Sequence, residues 1–131
     1  MREIFADRFY SVSLGDDGVV RLIRTPERIE RLADMQASLD ELSIVLRAAV
    51  ADETPRGILM DFRAVLPRND DDFESMMSAY RRELAAAFGR IAVLTQTQVG
   101  KLQMARLDRR DGTETATFED EAEAMTYLLD E

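Results

Sequence analysis

The chain has 131 residues, of which 46% are hydrophobic, and it carries a formal net charge of −9. This length suits one domain with a single core and leaves no room for a second, so we expect one domain over residues 1–131. The negative charge argues against a nucleic-acid partner, because binding to phosphates requires clustered lysine and arginine.

The sequence contains no histidine and no cysteine. It therefore lacks the usual general base, the thiolate nucleophile and the commonest zinc ligands. We expect a protein that is not an enzyme, with no catalytic residue, no metal site and no cofactor. Charges are scattered through residues 1–8, and no stretch reaches the roughly 18–20 apolar residues of a membrane span. These features predict a soluble cytoplasmic protein whose membrane association is peripheral at most.

The first part of the chain predicts a hairpin followed by a long helix. Residues 9–14 and 19–24 read as two strands, and the glycines and aspartates between them read as a turn. Thr25 suits a helix N-cap and Pro26 the first helical position, so the helix should begin there. It should end near Pro55, because proline disfavours helix in the residue before it.

The middle of the chain predicts a βαβ unit. Residues 56–62 form a nearly continuous apolar strand, residues 70–88 an amphipathic helix, and residues 90–95 a second strand. Residues 69–72 resemble a capping box with short acids, and Gly89 suits the C-terminal cap.

The last part predicts a helix over 98–109, a short strand over 114–118 and a final helix over 119–129. Four residues follow one side of the first of these helices: Val99, Leu102, Ala105 and Arg106. The predicted order is ββαβαβαβα. This is an α/β fold with a single mixed sheet of about five strands, joined partly by right-handed crossovers and covered by about four helices.

The chain resembles the SpoIIAA-like family in three segments, residues 57–63, 88–94 and 117–128. This family is a relative of the STAS domains of anti-sigma factor antagonists and of CRAL-TRIO-type domains. The resemblance implies a non-catalytic regulatory module that binds a protein partner or itself. It also implies an alternative, a carrier or sensor of a small apolar, lipid-like ligand. Typical STAS domains carry a phosphorylated serine at the start of the helix that follows the third strand. Here residues 69–73 contain neither serine nor threonine, and Ser75 and Ser78 lie inside the helix.

The first candidate site is the acidic start of that helix, formed by Asn69, Asp70, Asp71 and Asp72. It is interpreted as a partner-binding acidic surface, on which fixed carboxylates imitate a phosphorylated state. Two other interpretations are open: half of a cation site, and a helix start that complements the helix dipole. A metal-dependent hydrolase that combines Asp61 with this cluster is a third functional hypothesis.

The second candidate site is Thr95, Thr97, Gly100 and Lys101, where a strand meets the following helix. Open α/β sheets bind ligands at this edge, and a helix N-terminus attracts anions. The site is interpreted as an anion or ligand site, with an ordinary helix cap as the alternative. Lys101 with Arg106, Arg109 and Arg110 forms a positive region that suits anionic lipid or an acidic partner, or only complements the helix end.

Two apolar features of the sequence each have two interpretations. The helical methionines suit either core filling or an adaptable ligand pocket. The stripe of apolar residues from Leu32 to Ala49 suits either the cover of the sheet or a homodimer seam.

Overall fold

A six-stranded mixed sheet runs through the molecule, one strand more than the sequence predicts. The computed structural model describes residues 1–66, 68 and 70–130. The strands are β1 (Arg2–Ala6), β2 (Tyr10–Leu14), β3 (Val19–Arg24), β4 (Gly57–Asp61), β5 (Ile91–Leu94) and β6 (Ala116–Phe118). The helices are α1 (Leu32–Glu53), α2 (Asp71–Ala87), α3 (Gln98–Asp111) and α4 (Glu121–Leu129). The predicted mixed α/β class is confirmed.

The strands lie side by side in chain order. The pairs β1–β2 and β2–β3 are antiparallel, whereas β3–β4, β4–β5 and β5–β6 are parallel. The parallel half needs crossover helices, and α1, α2 and α3 supply them. The carboxyl ends of β3, β4 and β5 therefore meet at one edge of the sheet.

The two faces of the sheet have separate apolar clusters. On one face, buried side chains of β2 to β5 pack against α1, α2 and Met104 of α3. On the other face, a smaller cluster around Leu59, Ala92 and Leu94 packs against Ala124 and Leu128 of α4. Successive side chains of β4 and β5 point to opposite faces, and both faces are covered, so the two strands are buried along their length.

The predicted start of the first long helix is wrong. Helix α1 begins at Leu32, and Thr25 does not cap it. The backbone N–H of Thr25 donates to the Phe9 carbonyl at 2.8 Å, so it continues the ladder between β2 and β3. The Thr25 hydroxyl donates to the Arg8 carbonyl instead of capping a helix. These tertiary contacts override a local sequence signal that favours a helix.

Three further details differ from the sequence prediction. Strand β1 was not predicted, since it is an edge strand with exposed charged residues at its start. Gly89 is not the left-handed cap of α2, because only Gly18 and Gly112 among the described glycines have positive φ. Val99 and Leu102 are exposed, and the buried side of α3 instead includes Met104 and Leu107. None of the helices in the described part of the chain has both the length and the apolarity of a membrane span.

Gly57, at the start of β4, offers a direct test of this packing. A Cβ there would lie 2.8 Å from a Leu128 methyl and 2.9 Å from the Arg90 carbonyl. We expect Gly57→Ala to lower the free energy of unfolding by about 1–3 kcal/mol, because the strand and α4 must move apart. Urea denaturation of both proteins measures the difference.

Gly89→Ala is the matched control, since a Cβ at Gly89 meets nothing within 4 Å. This variant should keep the wild-type stability or gain about 0.4–1 kcal/mol through the unfolded state. Equal destabilisation by the two substitutions would contradict the close contact between β4 and α4.

Candidate functional site

Four residues form a row across the carboxyl edge of the parallel strands. Tyr10 pairs with Arg24 in the register of β2 and β3, and Ile23 pairs with Asp61 in that of β3 and β4. The next step along β4 and β5 places Phe62 beside Arg24 and Thr95 beside Phe62. The Phe62 N–H donates to the Leu94 carbonyl at 3.0 Å, which keeps this row in register. All four side chains line one cavity.

The cavity has a volume of about 660 Å³. It lies between this row, the segment before α1, the segment after β4, and helices α2 and α3. Its apolar lining includes Ile29, Val65, Met77, Val93 and Met104. Small-molecule sites typically measure about 300–1,000 Å³ and combine apolar walls with a few polar groups. The cavity has the size and the lining of such a site.

Arg24 is the charged residue at the floor of this cavity. Its residue exposure is 7%, and its guanidinium donates to the carbonyls of Thr25 at 2.5 Å and Glu27 at 2.9 Å. The guanidinium also lies 5.3 Å from the Phe9 ring centre and 5.9 Å from that of Tyr10. Burial lowers the pKa of Arg24 from its usual value. Over residues 1–66, 68 and 70–130, no carboxylate forms an ion pair with it.

Two hydroxyl groups in the row also have no hydrogen-bond partner among the described residues. Neither the Tyr10 nor the Thr95 hydroxyl makes a hydrogen bond with any described residue, although both side chains are buried. Burial raises the pKa of Tyr10 to about 12; the charge of Arg24 lowers this pKa in part, and Asp7 makes a smaller contribution that raises it. Tyr10 therefore stays a neutral phenol at physiological pH and remains able to donate a hydrogen bond.

Helices α2 and α3 form a wall of the cavity and are joined by buried charges. Glu74 accepts from Arg106 at 3.1 Å, and Asp111 accepts from Ser78 at 3.0 Å and from Arg81 at 3.1 Å. The Asp111 side chain is only 1% exposed, so these contacts replace its hydration. This network, which we call the α2–α3 clasp, fixes the wall and neutralises Arg81.

The acidic candidate residues lie beside the cavity and do not line it. Asn69 lies outside the described residues. Asp70 is the N-cap of α2: its carboxylate accepts from the Phe73 N–H at 3.3 Å and pairs with Arg68, which lowers the pKa of Asp70. Asp71 and Asp72 are exposed in the first turn of α2.

The second candidate group is divided between three environments. Thr95 and Gly100 line the cavity, whereas Thr97 is the N-cap of α3 and accepts from the Gly100 N–H at 2.9 Å. Lys101 forms an ion pair with Glu119 at 3.4 Å. A Cβ on Gly100 would lie 2.2 Å from the Thr95 hydroxyl, so this close approach requires glycine.

Exposed apolar side chains surround the same end of the molecule. Leu66, Val99 and Leu102 are three of the six large exposed hydrophobic residues in the described part of the chain. The Gln103 side chain donates to the Arg68 carbonyl at 2.5 Å, which joins the segment after β4 to α3. We call the surface formed by Leu66, Asp71, Asp72, Val99 and Leu102 the rim.

The positive region on α3 is partly neutralised by the clasp. Arg106 and Arg110 both pair with Glu74 of α2. Asp61 is held by its own neighbour Arg63 at 2.8 Å. Among residues 1–66, 68 and 70–130, no three acidic side chains converge in a group that could hold a metal ion.

Sequence reasoning missed Arg24 and Tyr10. The alternation of β3 carried the signal, because Val20 and Leu22 face the core and Arg24 continues the same side of the strand. An arginine at a core-facing strand position is unusual and marks a buried charge.

Two solved structures are similar to this chain. One is a protein of the DUF3478 family with a SpoIIAA-like fold from Shewanella loihica PV-4, with 16% identity, a TM-score of 0.64 and coverage of 95% of this chain and 98% of that chain. The other is an anti-sigma factor antagonist from Mycobacterium paratuberculosis, with 19% identity, a TM-score of 0.57 and the same two coverages. No family model and no curated protein sequence matches this chain. At these identities the similarity concerns the fold, and the SpoIIAA-like and STAS-like architecture predicted from the sequence is confirmed.

The α2–α3 clasp predicts a pH dependence of stability. The hydrogen bond from Arg106 lowers the pKa of Glu74 from its usual 4.5. The ion pair therefore stabilises the fold fully above that value, and its contribution is lost as the pH falls through the lowered pKa. We expect Glu74→Gln to reduce the free energy of unfolding by about 1–3 kcal/mol at pH 7, and by much less near pH 3. Urea denaturation at both pH values measures this change.

Glu83→Gln is the control on the same helix. Glu83 pairs with Arg47 at 3.2 Å on the surface, where ion pairs contribute about 0–1 kcal/mol. A loss for Glu74→Gln that does not depend on pH would show that the charge of Glu74 does not join the two helices.

Proposed function

We propose that this chain, which has a SpoIIAA-like fold, is a non-catalytic regulatory module that acts by docking on a protein partner. One structure that shares its fold is an anti-sigma factor antagonist, a class of protein defined by action on another protein. The observation that carries the proposal is the rim, where exposed apolar and acidic side chains lie together at one end of the molecule.

The apolar part of the rim supports contact with a protein surface. Leu102 is 70% exposed and Leu66 82% exposed, and the contact between Gln103 and Arg68 holds their segments together. Single exposed apolar residues are ordinary, whereas several on adjoining segments mark an interaction surface. The polar residues around them resemble the polar border of a protein interface.

The acidic part of the rim gives the partner a charge preference. Asp70 is paired with Arg68, whereas Asp71 and Asp72 are exposed and form no ion pair with a described residue, although the charge of Asp71 also acts on Arg106. Typical STAS domains place a phosphorylated serine at this helix start, and a phosphoserine carries about −1.5 to −2 charges. We infer that the two aspartates take the place of that switch with a permanent charge. The partner surface should then be basic beside an apolar contact.

Substitutions on the rim test this proposal. Leu102→Ser and Asp72→Lys should each reduce recovery of the partner by about tenfold or more, since central interface residues contribute at least about 1–2 kcal/mol. The measurement is quantitative mass spectrometry of proteins cross-linked to the tagged full chain in its own cells. Sedimentation of the purified variants tests whether the partner is a second copy of the chain.

Ile44→Ser is the matched control, because Ile44 is 64% exposed on α1, away from the rim. The same partner should be retained by this variant and lost by both rim variants. Equal recovery with all three variants, or no specific partner with the wild-type chain, would overturn the docking proposal.

A second candidate function is a carrier or sensor of a small apolar ligand, with peripheral membrane association during exchange. The 660 Å³ cavity between the sheet and the α2–α3 wall favours it. The cavity reaches the surface at Leu66, so a ligand has a route to the outside. Met77 and Met104 line the cavity with flexible apolar side chains that can adapt to a ligand.

Native mass spectrometry of the protein purified gently from its own cells tests the second candidate. An adduct of a single small molecule, released by organic solvent, is the expected result. Consistent ligand-free masses over several preparations, together with no binding of added amphiphiles, would overturn it.

A further inference from the structure

Arg24 is buried, and within the described part of the chain it has no ion pair of the kind that buried charges normally have. Its residue exposure is 7%, yet no described residue forms an ion pair with it. Two backbone carbonyls accept hydrogen bonds from its guanidinium, and two aromatic rings lie close to it. Carbonyl groups and ring faces carry no net charge, so the positive charge at the cavity floor is offset only by the carboxylates of Glu27 and Asp7, neither of which forms an ion pair with Arg24.

The acidic groups near Arg24, Asp7 and Glu27, do not form an ion pair with it. Asp7 influences Arg24 through its charge, but its two oxygens accept from the Phe9 and Tyr10 N–H groups and from the Ser38 hydroxyl. Glu27 also acts on Arg24 through its charge, but its side chain is exposed, and its hydrogen bond with Arg24 is made by its backbone carbonyl. A negative group that enters the cavity would therefore meet a charge that the described residues leave without an ion pair.

Two hydrogen-bond donors lie in the same row as Arg24. The Tyr10 residue is 4% exposed, and its hydroxyl has no partner among the described residues. The hydroxyl of Thr95 is in the same situation, two strands away. Arg24 and the adjacent Tyr10 suit a carboxylate, which only accepts hydrogen bonds and binds arginine with two oxygens. Thr95 lies two strand spacings from Arg24, roughly 10 Å, so it does not reach the same group.

We propose that the cavity binds an apolar molecule with one terminal carboxylate, which Arg24 and Tyr10 hold at the cavity floor while the tail lies between the sheet and the α2–α3 wall. This inference rests on the second candidate function, that the cavity holds a ligand, and adds the chemistry of its polar end.

The other charges of the lining favour a single negative charge on the ligand. Arg68 and Arg81 already pair with Asp70 and with the carboxylates of the α2–α3 clasp. Glu74 is neutralised by Arg106 in the same clasp. A phosphate dianion would require more unpaired donors than the floor offers. Glu27 and Arg28, both exposed, are the other charged residues of the lining. The remaining floor and walls are largely apolar, which suits a hydrocarbon tail.

Calorimetric titration of the full chain with three ligands of equal tail length tests the inference. The ligands are decanoate, decanol and decylamine, below the concentrations at which they form micelles. Decanoate should bind about tenfold to a hundredfold more tightly than decanol, as expected for hydrogen bonds to charged groups. Decylamine should bind no better than decanol.

Two variants locate the carboxylate. Arg24→Met keeps an apolar side chain of similar length and should abolish the preference for decanoate while decanol still binds. Tyr10→Phe removes only a hydroxyl that has no described partner, so it should fold normally and weaken decanoate about threefold to tenfold. Arg109→Met is the control: it removes the same charge from the exposed end of α3, outside the cavity, and should leave all affinities unchanged.

The outcomes separate this inference from the function on which it rests. If none of the three ligands binds the wild-type chain, the cavity does not take apolar amphiphiles and both ideas fail. If decanoate and decanol bind equally, or Tyr10→Phe and Arg24→Met keep the wild-type preference, the carboxylate site is wrong while the apolar cavity stands. If Arg24→Met does not fold, the wild-type comparison and Tyr10→Phe decide the result.

Discussion

The buried guanidinium of Arg24 is the interaction on which this end of the molecule depends. It extends from the last residue of β3 and binds the carbonyls of Thr25 and Glu27, so it holds the chain in a non-helical conformation after the strand. Its contacts with Phe9 and Tyr10 join the same point to β2. Helix α1 begins only at Leu32, and the segment in between remains available to line the cavity.

In the helical wall of the cavity, buried charges on α2 and α3 pair with each other. The α2–α3 clasp pairs Glu74, Arg81 and Asp111 with partners on the facing helix. Replacing one member would leave another buried charge unpaired, so the clasp favours one relative position of the two helices. The contrast with Arg24 is informative: of these two buried arginines in the lining, Arg81 has carboxylate partners within the described chain and Arg24 has none.

Much of the fold could be predicted because local signals agreed with the tertiary structure. Continuous apolar runs predicted β4 and β5. The start of α1 could not be predicted, since Thr25 and Pro26 carry a helix signal that contacts with distant residues override. The spacing of Val99 and Leu102 likewise predicted an apolar side of α3, but that side is exposed, and Met104 and Leu107 lie on the buried side.

The candidate site was less predictable, because its polar groups come from separate parts of the chain. Thr95 and Gly100 were found from the rule that open sheets bind ligands at this edge. Arg24 and Tyr10 belong to the antiparallel part of the sheet, and only the strand register brings them to the same row. A core-facing arginine was the available signal, but only the three-dimensional structure shows that no carboxylate of the described residues pairs with it.

The cavity and the rim are two sides of the same helical turns. Gly100 and Gln103 of α3 face the cavity, while Val99 and Leu102 of the same turns face outward. On α2, Phe73 and Glu74 line the cavity and Asp71 and Asp72 are exposed. A ligand that displaced either helix start would therefore move the rim with it, because a helix turn moves as a unit and the clasp links both helices. Binding at the two surfaces would then be thermodynamically linked, each changing the affinity of the other by the same factor.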